Sequence, residues 1–410
     1  MPTSSKQTAL RHFALLLLAA AIIFLAVMCG KKQQRTRKGA ALPLHDAVMD
    51  PKAIADFLES GCDPSAEDKF GNTPLHSAAQ VSVACIVERR LERERTKLGI
   101  NNARSRDAVR QEAWRQLEDS IRLLIDAGAD INARRSSGSP MTPLQIAAHY
   151  RRANTAKILI KYGADVHTKG ASGWTLLHDA ARRNKSEIAR ILLDSGVDVN
   201  VRTKNGCTPL HEAASAGHIE VAKVLVEYGA NLRATRNHGR SHLAHSAPLV
   251  YAARYGGTKV LSFLLSATAD DDFQVTRIWP AAMLAAAHEG HENEVDLLLN
   301  KGVDVNSKDP KTGGTALHIA SRTGRGKFSI DLVELLIAKG ADLNAKNVDL
   351  MTPLHTAARY GNKDMVRILV DNSANMYIRA KNGKTPLEMA TWTVREMLEV
   401  AMLRDRHSRE

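Results

Sequence analysis

The sequence predicts an all-α solenoid, a stack of helix–turn–helix units joined by hairpin-like turns. Three observations lead there. The stretch NGCTPLHEAASAGHIEVAKVLVEYGANL (205–232) returns in close copies, most often every 33 or 34 residues. A period of that size marks units that bury their apolar faces only against their neighbours. Each copy holds two apolar stripes at helical spacing. Aromatic residues make up only 4% of the 410, against 44% hydrophobic residues. The core must therefore be built from Leu, Ile, Val and Ala, which suits helices packed close together.

The first element is apolar. Phe13 to Cys29, FALLLLAAAIIFLAVMC, is 17 consecutive apolar residues, about 26 Å as a helix and just long enough to cross a thin hydrocarbon core. A cleaved leader and a lipid anchor on Cys29 are the alternatives. A leader usually has a shorter apolar region and a small-residue cleavage site, and Met28 before Cys29 supplies neither pattern well. The flank 1–12 precedes this span, and a basic linker, 30–39, follows. KKQQRTRK (31–38) holds five cations, against Lys6, Arg11 and the amino terminus before the span. The positive-inside tendency puts the bulk of the chain on the cytoplasmic side of a single-pass membrane protein. Residues 31–38 could also hold anionic lipid, at roughly 1 kcal/mol per cation. A secreted or periplasmic location is the alternative.

The net charge of +13 invites a nucleic-acid reading. Its location argues against one, because residues 1–39 carry +7 and no acid, which leaves +6 for the other 371 residues. Four cysteines, Cys29, Cys62, Cys85 and Cys207, are too few and too irregular for a disulfide framework or a zinc site.

The repeated unit then fixes its own helices. In the copy quoted, Pro209 opens the first helix, since its missing N–H costs nothing in the first turn. Leu210, Ala213 and Ala214 form one apolar stripe and Gly217 stops the helix. Val221, Val224 and Leu225 form the second stripe, and Gly229 supplies the positive φ of a helix C-cap. Polar residues around Asn205 and Gly206 make the turn to the next unit. TLLHDAARRNKSEIARILLDSGVDVN (175–200), TPLHTAARYGNKDMVRILVDNSANM (352–376) and TPLQIAAHYRRANTAKILIKYGADVH (142–167) keep the pattern.

These residues resemble the ankyrin repeat at nearly every signature position, from about residue 40 to about 403. The first motif residues are Leu42, Thr73, Thr142, Thr175, Thr208, Ala247, Ala281, Thr315, Thr352 and Thr385. The resemblance implies an ankyrin-type α-solenoid of about ten repeats with β-hairpin-like finger loops. Fingers and first helices would line a concave groove, and the N-terminal hydrophobic helix would precede the array.

Departures from the pattern carry their own expectations. In repeats six and seven APLV (247–250) and AAML (281–284) replace the TPLH signature, so a soft joint is expected over 240–290. The last unit is expected to exchange its second helix for a charged ending, with 404–410 as a charged tail. Between TPLHSAA and IRLLIDAGADIN an insertion runs from about Ser82 to Glu118 (82–118). Val83, Val87, Leu91 and Leu98 make one stripe and Val109, Ala113, Leu117 and Ile121 another. Both helices of this unit should extend into an antiparallel hairpin.

No constellation of catalytic or metal-binding residues emerges. His45, His76, His178, His211, His318 and His355 recur once per unit, so they cannot converge on one metal. The family resemblance implies that they bridge adjacent turns. NGKT (382–385) and GRGKF (324–328) each miss an essential position of a phosphate loop. HEGHE (288–292) lacks metalloprotease spacing, and His238, His242 and His245 lie together in a small insertion. NKS (184–186) is a glycosylation sequon, relevant only outside the cytoplasm. No cofactor and no specific nucleic acid is expected, and the chain reads as a non-enzyme.

A binding surface remains. Just past each Ala-Ala pair stand His149 and Tyr150, Arg182 and Arg183, Arg254 and Tyr255, Arg322, and Arg359 and Tyr360. The finger turns add Lys69, Arg134, Arg135, Lys169, Lys204, Arg236, Lys308, Lys311, Lys346 and Lys381. Tyr and Arg dominate binding hot spots. The partner-binding set is therefore Tyr150, Arg182, Arg183, Arg254, Tyr255, Arg322, Arg359 and Tyr360, with Lys69, Arg135, Lys204 and Arg236 on the rim. The expected partner is a protein with an acidic surface, and the expected function is a membrane-tethered interaction scaffold. The alternative is a binder of polyanions or anionic lipid through the flank and fingers.

Overall fold

The computed structural model describes residues 42–98, 103–170, 172–236, 247–270, 277–322 and 330–407. The segments 13–29 and 31–38, the histidines 238, 242 and 245, and GRGKF lie outside them, as does the side chain of Leu98. Among the described residues every regular element is a helix, and none of these helices is long and apolar enough to cross a membrane. The chain forms two compact units divided between Val166 and His167.

The first unit holds α1 (Leu42–Asp46), α2 (Pro51–Glu59), α3 (Pro74–Gln80), α4 (Val83–Leu98), α5 (Ala103–Asp126), α6 (Pro143–His149) and α7 (Ala153–Lys161). The short helices α1, α3 and α6 pack side by side, while α2, α5 and α7 form the layer behind. Helices α4 and α5 pair with each other along the insertion. Val83, Val87 and Leu91 on α4 and Ala113, Leu117 and Ile121 on α5 are buried, and Val109 is half-buried. The Arg106 guanidinium pairs with Glu88 across the two helices. Arg90 Nη2 donates to Gln116 Oε1 at 2.7 Å.

The second unit alternates short first helices, α8 (Leu176–Arg182), α10 (Pro209–Ser215), α12 (Pro248–Arg254), α14 (Trp279–Glu289), α16 (Ala316–Arg322), α18 (Pro353–Tyr360) and α20 (Pro386–Met389), with second helices. The latter are α9 (Ser186–Asp194), α11 (Ile219–Glu227), α13 (Thr258–Ala267), α15 (Glu292–Asn300), α17 (Ile330–Ala338), α19 (Lys363–Asp371) and α21 (Trp392–His407). First helices pack on first helices in chain order, and Ala-Ala pairs such as 180–181, 213–214 and 357–358 are fully buried where they meet. Small side chains at that seam let the backbones approach, and the larger aliphatics fill the space between layers.

One expectation needs correcting. The last unit keeps a second helix: α21 runs 16 residues, and Arg404 to His407 belong to it. Val394 and Leu398, four apart, are both fully buried against the preceding layer, which is sufficient to hold a helix whose other faces are charged. The shortened partner is α20, of four residues. Within the span of the expected soft joint, Leu249 to Ala253 in α12 and Ala282 to Ala287 in α14 are buried, and residues 240–246 and 271–276 lie outside the described residues. Where the Thr–His pair is missing, α14 begins at Trp279, two residues before the first motif position Ala281, and the Trp279 indole Nε1 donates to Thr268 Oγ1 at 3.1 Å inside the core. Tyr251, buried on α12, stands edge-on to His211 with ring centroids 5.4 Å apart and accepts from Arg236 Nη1 at 3.0 Å.

Candidate partner-binding surface

The site is built on a repeated polar lock. At the start of α3, α8, α10, α16 and α18, the N-cap Thr N–H donates to Nδ1 of the His three residues on, at 3.0 to 3.3 Å. An Nδ1 that accepts leaves the proton on Nε2. That nitrogen donates to a carbonyl of the following finger: His76 to Met141 (2.9 Å), His178 to Cys207 (3.0 Å), His318 to Met351 (2.9 Å) and His355 to Lys384 (3.2 Å). His45 Nε2 reaches the Asn72 carbonyl in the same way, at 2.7 Å. Burial holds the imidazoles of His76, His178, His318 and His355 below the ordinary 6.5, in keeping with the neutral tautomer. Each histidine therefore fixes one finger on the helix before it.

The fingers themselves are tight turns. Thr203 N–H donates to the Cys207 carbonyl and Asn347 N–H to that of Met351, at 2.9 and 3.0 Å. Adjacent fingers of the second unit are joined by single bonds, Lys204 N–H to Ser172 O, Val348 N–H to Thr312 O and Lys381 N–H to Asp349 O, at 2.8 to 3.0 Å. Cys207 lies under one of these turns, and burial pushes its thiol up to about 12, so it is no nucleophile at neutral pH.

On this frame the expected binding residues fall into groups. In the first unit Tyr150 is half exposed, edge-on to His149 with centroids 5.1 Å apart. Lys69 Nζ lies 4.9 Å above the exposed Phe70 ring, and Arg135 Nη2 donates to the Phe70 carbonyl at 3.5 Å. In the second unit Arg182 is exposed beside the Trp174 ring at 5.8 Å. Arg183 is committed to Asp179, Nε to Oδ1 at 2.6 Å. Arg254 is half-buried, with exposed Tyr255 next to it, whose ring lies 6.0 Å from Tyr251. Arg322 stands 5.9 Å from the exposed Tyr360 ring, and Arg359 is exposed at the end of α18. Lys204 is exposed on its turn. Arg236 is spent on Tyr251, stacked at 5.3 Å and hydrogen-bonded. Among the described residues no three His, Cys, Asp or Glu side chains gather as metal ligands would.

A family model described as ankyrin repeats (three copies) matches residues 108–203, 195–277, 249–347 and 326–403, well over half of the sequence. The chain belongs to the ankyrin-repeat family. It is 40% identical to mouse (Mus musculus) protein phosphatase 1 regulatory subunit 12A over 101 residues, 25% of this chain and 9% of that protein. It is 36% identical to Danio rerio ankyrin repeat and SOCS box protein 11 over 117 residues, 28% of this chain and 38% of that one. The match thus spans about a tenth of the first relative's length and well under half of the second's. Among solved structures, the human ASB11 ankyrin repeat domain is 26% identical and covers 64% of this chain and 98% of its own, with a TM-score of 0.37. The ankyrin repeat domain of Bcl-3, also 26% identical, covers 56% and 99%, with a TM-score of 0.46.

Two features of this ankyrin surface escape a reading of the motif alone. His218 Nε2 donates to the Arg182 carbonyl at 3.1 Å, and His291 Nε2 to the Arg254 carbonyl at 2.9 Å. These bonds clamp the C-terminal ends of α8 and α12, where the Arg side chains emerge. The signal was the His that closes the helix turn in AGHIE and EGHEN, which differs in position from the TPLH histidines. The second feature is a finger carrying Leu350 at φ 55° with its side chain exposed. The matching turn position is Gly in the other described fingers of similar length, at Gly71, Gly173, Gly206, Gly313 and Gly383. A left-handed leucine costs roughly 1–2 kcal/mol.

Proposed function

We propose that this ankyrin protein is a non-catalytic interaction scaffold of about ten repeats, tethered to a membrane by residues 13–29 with the repeats on the cytoplasmic side. Exposed Arg and Tyr side chains at the ends of the first helices bind an acidic face of a partner protein, and residues 31–38 add contacts to anionic lipid. The observation that carries the reading is the pairing of exposure with rigidity in the second unit. Tyr255 and Tyr360 are 57% and 49% exposed, yet their backbones sit on helices locked by the Thr–His bonds and by His291. A surface already ordered loses little side-chain and loop entropy when a partner docks. Arg and Tyr then supply contact area and directed hydrogen bonds.

The test is site-specific photocrosslinking in the cells that make the protein. A photoreactive phenylalanine at position 255 or 360 should capture one protein partner that the same probe at Lys223 or Lys259, on the outer helices, does not. The adduct should still form at about 0.5 M salt, where exposed charge pairs are screened. Capture of lipid or nucleic acid alone, or equal yields from the outer positions, overturns the reading. Protease accessibility of the repeats in sealed vesicles decides the membrane side.

A further inference from the structure

The turn 347–351 is built against its own stability. Leu350 is forced into the left-handed region and left 44% exposed, and Val348 beside it is 56% exposed. Nothing about the turn is loose. Its Val348 N–H donates to the Thr312 carbonyl and its Asp349 carbonyl accepts the Lys381 N–H, and Gly313 lies so close that a Cβ there would come within 2.9 Å of the Val348 nitrogen. A strained backbone held rigidly so as to present two aliphatic side chains to solvent is a pattern associated with recognition.

Beside this tip is a pocket of about 390 Å³. Asp349 and Met351, the neighbours of Leu350 in sequence, line it together with Met389, Arg359 and Lys381. The methionines provide a floor that adapts its shape. The Arg359 and Lys381 side chains form no ion pair among the described residues, so the pocket holds two uncommitted cations against the single carboxylate of Asp349. Charge complementarity calls for an anion there, and the exposed aliphatic tip calls for an apolar residue next to it.

We propose that Leu350 and Val348, with the Arg359–Lys381 pocket, are the docking site for an extended acidic segment of a partner protein in which Asp or Glu adjoins a bulky apolar residue. The inference rests on the scaffold reading and narrows it to one partner chemistry at one finger. A carboxylate enters between the Arg359 guanidinium and the Lys381 ammonium. The apolar residue packs on Leu350.

The probe is a pool of fluorescent peptides about a dozen residues long with Asp or Glu alternating with Leu or Phe, offered to the full chain in detergent. Two control pools replace the acids by Lys or the apolar residues by Ser. The first pool should bind and the controls should not. Leu350→Asn, which keeps a residue tolerant of positive φ and removes the aliphatic contact, should weaken binding about tenfold or more without lowering the melting temperature. The double variant Arg359→Ala, Lys381→Ala should do the same. Binding that ignores both variants, or failure of the acidic pool to bind, overturns the proposal. So does Leu350-dependent binding to phosphatidylserine vesicles or to a single-stranded oligonucleotide in place of the peptides. If crosslinks from Tyr255 persist while these variants change nothing, the scaffold reading stands and this site falls.

Discussion

The Thr–His lock makes a quantitative prediction at His178, whose side chain is fully buried. Its Nδ1 accepts the Thr175 N–H at 3.3 Å, and its Nε2 donates to the Cys207 carbonyl at 3.0 Å. The two bonds are not equivalent. The Cys207 carbonyl also accepts the Thr203 N–H at 2.9 Å, so losing the histidine leaves it half satisfied. The Thr175 N–H has no such reserve inside the described fold, and a stranded buried donor costs about 1–3 kcal/mol. His178→Asn keeps an acceptor on Cγ and gives up only the bond to Cys207, a loss of about 1 kcal/mol. An oxygen suffices in that accepting role: Gln145 Oε1 takes the Thr142 N–H at 2.9 Å, and Glu388 Oε2 takes that of Thr385 at 2.7 Å. His178→Ala strands the donor and leaves a ring-sized void, for about 3–5 kcal/mol in all. Repeat arrays need not unfold in one step. The readout is therefore native-state hydrogen exchange of the full chain, followed at the amides of Thr203 and Gly206 in the finger and across α8. Equal opening energies for the Asn and Ala variants, or a loss below about 1 kcal/mol for Ala, would refute the division of roles.

Three further outcomes follow from the same geometry. His76, His178, His318 and His355 titrate below 6.5 when folded, so the unfolded chain binds protons first as pH falls. Their contribution is whole above about pH 6.5 and is lost below it, at up to about 1.4 kcal/mol per pH unit for each histidine until its folded value is passed; a melting temperature that stays flat from pH 7.5 to 5.5 would contradict this. Leu350→Gly should stabilise the second unit by about 0.5–1 kcal/mol, left-handed strain relieved less the extra freedom of an unfolded glycine, and a lower urea midpoint would show that Leu350 packs usefully after all. Asp179→Asn should cost about 3 kcal/mol, because it leaves the Lys185 ammonium, 3% exposed and 2.9 Å from that carboxylate, without a counter-ion. Adding Lys185→Met should recover most of the loss in the same urea titration.

The helices were legible because the sequence states each rule many times. Thr and Pro open α10, the Ala-Ala pair sets its seam, and a glycine closes α11, so an error in one copy is corrected by the next. Single-copy elements had no such correction. The ending TWTVREMLEVAMLRDRH (391–407) reads as a charged tail when its nine charged and polar residues of seventeen are weighed alone, yet the pair Val394 and Leu398 is enough to seat α21. By analogy with Thr315, position 281 should precede a first helix, whereas α14 has already begun at Trp279 and Pro280. A tryptophan that finds its partner in Thr268 cannot be recognised from a motif that contains neither.

The binding surface shows the opposite economy. Repetition reveals where side chains emerge, since most copies end their first helix at the same place, but it cannot say which of them are already spoken for. Arg236 and Arg183 looked as free as Arg322 and Arg359 in the sequence; Tyr251 and Asp179 hold the first two, and those partners lie 15 residues downstream and four residues upstream, outside any one motif position. Specificity in a repeat protein must therefore come from departures and not from the signature. A position that is glycine in five fingers and leucine in a sixth has gained nothing in folding, since the leucine is strained and half exposed. The docking contact proposed for Leu350 outside the chain would supply a physical reason to keep it, and that makes this finger the most informative departure in the second unit.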